Sequence, residues 1–167
     1  LELMHQFVLS GVDIIELGVP FTDPIAEGPI IQAAHDLALQ ANTSLDMIFS
    51  LVEEFRSKDS ETPVILMGYI NTFLANSKAL ESIHERGTDA VLIVDVPGES
   101  SLEDIGIQNK NIASISLISP TTDNDRIQKI CMSSSGFIYY VTLRGVTGAS
   151  NLNEDEIQTN ILNIRNS

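Results

Sequence analysis

The sequence predicts an α/β fold built around a parallel sheet. Short runs of apolar and β-branched residues alternate with longer segments in which apolar side chains recur at helical spacing. The short runs are apolar at almost every position, which indicates strands covered on both faces, as in sheets assembled from βα units. The predicted strands span residues 12–17, 64–69, 90–94, 112–118 and 137–142.

Capping residues support the helices predicted between these strands. Pro29 suits the first turn of a helix, Ser44 suits an N-cap, and Gly87 suits the position just beyond a C-terminus. Asn153 precedes acidic residues, which the positive end of a helix dipole favours. An uncapped helix is expected at the start of the chain, and the other predicted helices span residues 29–40, 44–55, 77–86, 100–108, 123–133 and 154–164.

Length and charge limit the classes of function that the chain can perform. Its 167 residues correspond to about one domain, taken as residues 1–167. The net charge of −14 argues against nucleic acid and against an anionic membrane as partners, because both require a cationic surface. No run of apolar residues is long enough for a membrane span.

Cysteine and histidine usage argues against a metal site. The single cysteine, Cys131, excludes a disulfide framework and a zinc site with several thiolates. We therefore expect a reducing cytoplasm as the compartment. His5, His35 and His84 lack the spacing of metal ligands and are interpreted as surface or helix residues, so no metal is expected.

The most informative segment follows the first predicted strand. Glu16 ends an otherwise apolar run, at the strand end where the reacting groups of parallel α/β folds collect. Apolar neighbours disfavour a charged carboxylate, so the pKa of Glu16 is expected to rise toward values useful for proton transfer. The alternative is that Glu16 simply reaches water at the end of the strand. The following loop contains prolines, glycines and further acids, which is more constraint than a passive connection needs.

This segment resembles the signature of the tryptophan synthase α subunit family. Residues 16–32 read ELGVPFTDPIAEGPIIQ, which follows the family pattern almost completely. Later segments resemble the family in the same order, over residues 63–71, 89–97, 119–122 and 139–148. The resemblance therefore extends over nearly the whole chain.

The resemblance implies a parallel (βα) barrel of the TIM type. Length alone favours an open, doubly wound sheet instead, because a complete eight-stranded barrel needs roughly 200 residues or more. Compared with the family, we expect an incomplete barrel of about five to six βα units, with the first, seventh and eighth strands missing. Such a barrel has exposed strand edges, which leaves two explanations. The residues can be the internal part of a longer protein, or the short chain covers its edges by forming a homodimer, and we expect the second.

The resemblance also implies an activity. The family cleaves indole-3-glycerol phosphate to indole and glyceraldehyde 3-phosphate, a retro-aldol lyase reaction of tryptophan biosynthesis. It normally works in complex with a β subunit that carries pyridoxal phosphate, and no cofactor is implied for this chain itself. The alternative is an α-subunit-like module that has lost turnover and is retained for assembly or partner binding.

The catalytic residues of the family carry over by position. Glu16 matches the glutamate that shuttles protons to the indole ring and from the glycerol hydroxyl. Glu27 matches the loop carboxylate that hydrogen-bonds the indole N–H, where many members have aspartate. Tyr139 matches an active-site tyrosine close to the catalytic glutamate.

The resemblance further implies residues that contact substrate or partner. Tyr69 matches a wall of the pocket, Thr147 a loop residue that closes over the substrate, and Gly148 a backbone contact to its phosphate. Asp23 and Asp95 match loops that face the β subunit in the family. Spacing alone leaves open that Tyr69 and Tyr139 are core aromatic residues and that Gly148 is a turn glycine.

Overall fold

Five parallel strands form the centre of the protein, and they pair in the order in which they occur along the chain. The structure is a computed structural model that describes residues 1–76, 80–142 and 154–167. The strands are β1 (Ile15–Gly18), β2 (Val64–Gly68), β3 (Ala90–Ile93), β4 (Ala113–Ile118) and β5 (Ile138–Tyr140).

The order of the strands distinguishes a barrel from a doubly wound sheet. Each strand pairs in parallel with the next one along the chain, so the order never reverses between β1 and β5. A doubly wound sheet instead reverses its strand order at a switch point. The five described strands are therefore consecutive members of a (βα) barrel, which confirms the predicted TIM-type fold over the open sheet.

Helices precede, separate and follow the strands. They are α1 (Glu2–Leu9), α2 (Pro29–Gln40), α3 (Leu45–Arg56), α4 (Ile70–Leu74), α5 (Asn124–Ser133) and α6 (Glu154–Arg165). Ser44 caps α3 by accepting a hydrogen bond from Met47 N, and Asp123 caps α5 by accepting one from Arg126 N. The helix predicted over residues 77–86 lies partly outside the described residues. Within the described part of the chain, no helix has both the length and the apolar character needed to cross a membrane.

The core lies between the sheet and α3. Phe49, Val52 and Phe55 of this helix are each 0% exposed. Phe49 belongs to a buried cluster with Leu66, and the other two belong to a cluster with Val64. Each such side chain stabilises the fold by about 1.5–3 kcal/mol through burial. This packing fixes the position of β2 and of the residues that follow it.

Arg56 holds the amino ends of β2 and β3 together. Its guanidinium donates to the backbone oxygens of Thr62 and Gly87, each at 2.8 Å, and to Asp89 Oδ2 at 2.6 Å. Asp89 Oδ2 also accepts a hydrogen bond from Val64 N at 2.7 Å. These bonds stabilise the amino end of the sheet, which in barrels of this kind is the end opposite the chemistry.

The helix predicted over residues 100–108 is wrong, because this segment forms short turns. Ser101 N and Ser101 Oγ both donate to Asp104 Oδ2, at 2.9 and 2.8 Å, and close a single turn. Gly106 then adopts a φ of +86°, a left-handed conformation that ends helices. Local hydrogen bonds and one glycine therefore override the apolar spacing that predicts a helix.

Candidate active site

A cavity of about 220 Å³ opens at the carboxyl end of the sheet. Its titratable side chains come from parts of the chain that are far apart in sequence, and they are Glu16, Glu27, His35, Tyr69 and Tyr139. Glycines and apolar residues complete the lining. The structure therefore brings both predicted carboxylates and both predicted tyrosines to one place.

The sheet is curled, because strands from both of its ends line the same cavity. Glu16 belongs to β1 and Tyr139 to β5, which lie at opposite ends of the strand order, yet both line the cavity. In a flat sheet these strands would be roughly 19 Å apart, given about 4.8 Å between neighbours. Curling around a common axis brings the inward-facing side chains of distant strands together.

Glu16 lies within β1 and faces the cavity. Its register partner on β2 is Ile65, and Gly18, two residues later on the same face, adds no side chain to the opening. The cavity is open on one side, so the residue as a whole stays accessible to solvent. Burial of its carboxyl group nevertheless raises the pKa of Glu16 above 4.5, and the charge of Glu27 raises it further. A carboxyl group that keeps its proton to higher pH can act as a general acid.

Glu27 reaches the cavity from the loop over residues 19–28, which connects β1 to α2. Glu27 is only 4% exposed, which is rare for a carboxylate. The Tyr69 hydroxyl donates to Glu27 Oε1 at 3.3 Å, and Gln32 Nε2 donates to the Glu27 backbone oxygen at 2.9 Å. Glu27 is therefore held at the same time by Tyr69, which directly follows β2, and by Gln32 of α2.

Tyr69 connects this loop to the end of β2. It is 1% exposed, and its ring stacks on Phe21 with 5.0 Å between the ring centroids. Its hydroxyl accepts a hydrogen bond from Ala26 N at 3.0 Å and donates to Glu27. Burial raises the pKa of the Tyr69 phenol, the bond from Ala26 N lowers it, and the Glu27 charge raises it. Tyr69 is therefore a neutral phenol that supports the loop.

Replacing Tyr69 with phenylalanine is expected to lower the free energy of unfolding by about 1–3 kcal/mol. The ring stays, but Ala26 N loses its acceptor and Glu27 loses a donor. Urea denaturation measures the change. Tyr140→Phe is the control, because the Tyr140 hydroxyl accepts from Asn160 Nδ2 at 2.8 Å in a less buried place. A smaller loss for Tyr69→Phe than for the control would contradict the supporting role of the Tyr69 hydroxyl.

Tyr139 approaches the cavity from β5. It pairs in register with Leu117 of β4, and its residue is 42% exposed. The two tyrosines therefore differ in their surroundings, because Tyr69 is enclosed and bonded to the loop whereas Tyr139 forms a partly open wall. Tyr139 is accessible to a ligand that enters the cavity.

Two predicted site residues lie outside the described residues. Thr147 and Gly148 fall within residues 143–153, so their contacts with substrate and phosphate stay predictions. In the described ranges 1–76, 80–142 and 154–167, no cluster of potential ligands that could hold a metal ion is found.

The two aspartates predicted to face a partner are both exposed. Asp95 Oδ1 accepts a hydrogen bond from Ile70 N at 2.8 Å, at the start of α4. Asp23 accepts one from the Thr22 hydroxyl, within the loop over residues 19–28. Asp95 thus connects the segment after β3 to the start of α4, whereas the contact of Asp23 stays within its own loop. Both side chains remain on the surface near the carboxyl end of the sheet.

His35 is the cavity residue that sequence reasoning missed. Its spacing classes it as a surface or helix residue, yet it lines the cavity, and its Nδ1 accepts a hydrogen bond from Phe21 N at 3.0 Å. The sequence does contain an indication of this position, because Ile31 and His35 are four residues apart on α2 and therefore lie on one face of the helix. The sequence does not show, however, which face of α2 turns toward the sheet.

The cavity combines groups that suit proton transfer on an apolar substrate. Glu16 has a raised pKa, and Glu27 is a second, more deeply buried acid. Two acids in different surroundings can take different roles, one as proton donor and one as stabilising charge. Ile31 and Met67 supply apolar walls beside these polar groups.

Comparisons with known proteins point to one family. The profile of the family described as tryptophan synthase alpha chain matches residues 1–167. The tryptophan synthase alpha chain of Nitrosococcus oceani is 46% identical over 166 residues, which covers 98% of this chain and 61% of the relative. That of Hydrogenovibrio crunogenus is 44% identical over 169 residues, with the same coverage of each chain.

Solved structures show the same relationship. The crystal structure of tryptophan synthase subunit alpha from Legionella pneumophila has a TM-score of 0.85 and 37% identity, covering 99% of this chain and 62% of that one. A structure of the tryptophan synthase α2β2 complex from Pyrococcus furiosus gives a TM-score of 0.82 and 32% identity, with 99% and 68% covered.

The matched region contains every described residue of the cavity. The chain spans about 61% of the length of the curated relatives named above. Its curled sheet corresponds to consecutive strands of the barrel in its structural relatives. Because the family profile, the close relatives and the fold agree along the whole chain, the protein belongs to the tryptophan synthase alpha chain family.

Proposed function

We propose that this chain catalyses the retro-aldol cleavage of indole-3-glycerol phosphate to indole and glyceraldehyde 3-phosphate. The observation that carries the proposal is the pair of carboxyl groups, Glu16 and Glu27, which line one cavity from different elements. Burial raises the pKa of Glu16, and Glu27 lies in a more enclosed place, so the two acids can take different roles.

In the proposed reaction, Glu16 gives one proton and takes back another. Its protonated carboxyl group donates to the indole ring carbon that carries the glycerol chain. The bond from that carbon to the glycerol carbon then breaks, and its electron pair returns to the ring. The hydroxyl on the departing carbon loses its proton to the Glu16 carboxylate and becomes the aldehyde. Glu16 ends protonated, as it began, so protons and electrons balance within substrate and residue.

The other predicted residues take supporting roles in this proposal. Glu27 accepts a hydrogen bond from the indole N–H and stabilises the positive charge that develops on the protonated ring. Tyr69 holds Glu27 through its hydroxyl, and Tyr139 contacts the substrate beside Glu16. Thr147 closes over the bound substrate, and the Gly148 backbone contacts its phosphate.

Release of indole from indole-3-glycerol phosphate tests the proposed function. The native chain is assayed alone and with a tryptophan synthase β subunit, and we expect indole to form at a rate proportional to chain concentration. An absence of indole under both conditions would contradict the proposal. It would favour the alternative, an α-subunit-like module that serves assembly or partner binding without turnover.

We propose a tryptophan synthase β subunit as the protein partner that receives the indole. A structural relative from Pyrococcus furiosus comes from an α2β2 complex. In this chain, the loop over residues 19–28 presents Asp23 and an Ile25 that is 77% exposed, next to the cavity. An exposed apolar side chain among acids suits a protein surface better than free solvent. Co-elution with a β subunit in size-exclusion chromatography checks this partner, and separate elution would argue against it.

We also propose that the 167-residue chain alone forms a homodimer. Among the described strands, β1 pairs only with β2 and β5 only with β4. Ile14 and Phe137, which directly precede these outer strands, are each 41% exposed. Open edges beside apolar side chains favour association between chains. Light scattering is expected to give twice the chain mass of 18.2 kDa, and a stable species at the chain mass would contradict the dimer.

The compartment that we propose is the cytoplasm. Cys131 is a free, half-buried thiol and has no second cysteine with which to pair. A chain with this cysteine usage needs no oxidising environment for its stability. Fractionation of expressing cells checks the compartment, and recovery of the chain outside the cytoplasmic fraction would contradict it.

A further inference from the structure

The loop that carries Glu27 is also held near its other end, by His35. This residue lies on α2, and its Nδ1 accepts a hydrogen bond from Phe21 N at 3.0 Å. The same helix holds the Glu27 end through Gln32, whose Nε2 donates to the Glu27 backbone oxygen at 2.9 Å. Two side chains of α2 therefore clamp the loop over residues 19–28, one close to each end.

Phe21 connects His35 to the residues that fix Glu27. The Phe21 ring stacks on Tyr69 with 5.0 Å between centroids and 22° between the ring planes. The Tyr69 hydroxyl accepts from Ala26 N and donates to Glu27 Oε1. A displacement of Phe21 would remove the support of one face of Tyr69. His35 is therefore linked to Glu27 through the Phe21 backbone, the Phe21 ring and Tyr69.

We propose that His35 is a positioning residue, whose neutral imidazole holds the loop over residues 19–28 in the geometry that the lyase reaction needs. The inference rests on the proposed function and adds a residue to it. Only an unprotonated Nδ1 can accept the Phe21 N–H, so the ring carries its proton on Nε2 when this bond is formed. Protonation of Nδ1 would place one N–H group against another, and the bond would be lost.

Titratable and charged groups lie around His35 in the cavity. Those that line it from β1, the loop, the end of β2 and β5 are Glu16, Glu27, Tyr69 and Tyr139, and Asp36 follows His35 on α2. A protonated Nδ1 cannot accept the Phe21 N–H, so acidification that protonates the ring is expected to release this end of the loop.

Two substitutions separate the hydrogen bond from the bulk of the side chain. His35→Asn keeps an acceptor close to the position of Nδ1, and His35→Leu removes it. Amide hydrogen exchange of Phe21, followed by NMR, should be slow in the native chain and in His35→Asn. It should be about tenfold faster or more in His35→Leu. In the native chain, the Phe21 amide resonance should shift as the His35 ring titrates, and this titration should vanish in His35→Asn.

Indole release gives the second readout. The kcat of His35→Leu is expected to fall about 10- to 100-fold with little change in KM, as for a displaced catalytic group. His35→Asn should recover most of this loss and show a weaker decline of kcat toward acid pH. Unchanged exchange of Phe21 in His35→Leu, or an equal loss of kcat in both variants, would overturn the proposal.

The two measurements keep this proposal separate from the proposed function. The amide measurements need no turnover, and the native chain alone supplies the titration of Phe21. If the chain released no indole while the exchange of the Phe21 amide depended on His35, the proposed function would be wrong. The hydrogen bond by which His35 holds the loop would still be supported. If indole were released but the exchange of the Phe21 amide were independent of His35, the positioning role of His35 would be wrong and the proposed function would stand.

Discussion

Replacing Glu16 with glutamine is expected to lower the rate of indole release by about 10²- to 10⁴-fold, the usual contribution of a general acid–base residue. Glutamine has nearly the same size, so the cavity keeps its shape. It cannot, however, donate a proton to the ring carbon or accept one from the glycerol hydroxyl. Both transfers assigned to Glu16 fail together, and the loss should therefore appear in kcat more than in KM.

Glu61→Gln is the matched control for this substitution. Glu61 is exposed just before β2, at the amino end of the sheet, and accepts a hydrogen bond from the Ser60 hydroxyl at 3.1 Å. The same chemical change there should leave turnover at the native level. Native kcat in the Glu16→Gln variant would rule out the proton-transfer role, and an equal loss in both variants would point to an effect of net charge.

The Glu16→Gln variant is also expected to have a higher free energy of unfolding than the native chain at neutral pH. Burial raises the pKa of Glu16 above 4.5 in the folded state, so the folded chain binds this proton more tightly than the unfolded chain does. The stabilisation that this proton gives is complete below the pKa of Glu16 in the unfolded chain. It is lost as the pH rises through the pKa of Glu16 in the folded chain. Urea denaturation should therefore show the stability of the Glu16→Gln variant increasing relative to the native chain as the pH rises above the ordinary glutamate pKa of about 4.3. A difference in stability that does not change with pH would contradict the raised pKa.

The strands could be predicted from sequence because burial on both faces leaves few polar positions in them. The run over residues 64–69 contains β2 (Val64–Gly68) almost residue for residue. The run over residues 12–17 was less informative, because β1 starts only at Ile15 and the preceding Val12 and Ile14 are 38% and 41% exposed. Apolar identity indicates burial only on average, and here the chain is still turning after α1.

The site could be predicted only as far as it depends on local sequence. The signature around Glu16 and Glu27 lies within one short segment, whereas the contacts that shape the cavity join distant residues. Tyr69 and Glu27 are 42 positions apart, and His35 and its hydrogen-bond partner are 14 apart. Those contacts depend on the curl of the sheet and on which face of α2 turns inward, and neither is fixed by residue spacing.

Replacing Glu27 with glutamine is expected to lower kcat by about 10²- to 10³-fold, the usual effect of removing one group that stabilises developing charge. The amide keeps an oxygen that can accept from the Tyr69 hydroxyl and from the indole N–H. It carries no negative charge, so the positive ring that forms after protonation loses its counterion. The fold should be retained, and indole release measures the loss. Glu27→Asp is the control, since it preserves the charge and shortens the side chain, and it should lose less activity than Glu27→Gln.

The pH profile of Glu27→Gln then tests whether the two acids act in one cavity. The charge of Glu27 raises the pKa of Glu16, in addition to the larger effect of burial. Without that charge the pKa of Glu16 is expected to fall, while burial keeps it above the ordinary value. Because kcat/KM declines as Glu16 loses its proton, the alkaline limb of the profile should move to lower pH in Glu27→Gln and stay close to the native position in Glu27→Asp. An alkaline limb that did not move in Glu27→Gln would mean that the charge of Glu27 does not affect the pKa of Glu16. The separate roles proposed for the two carboxyl groups would then be contradicted.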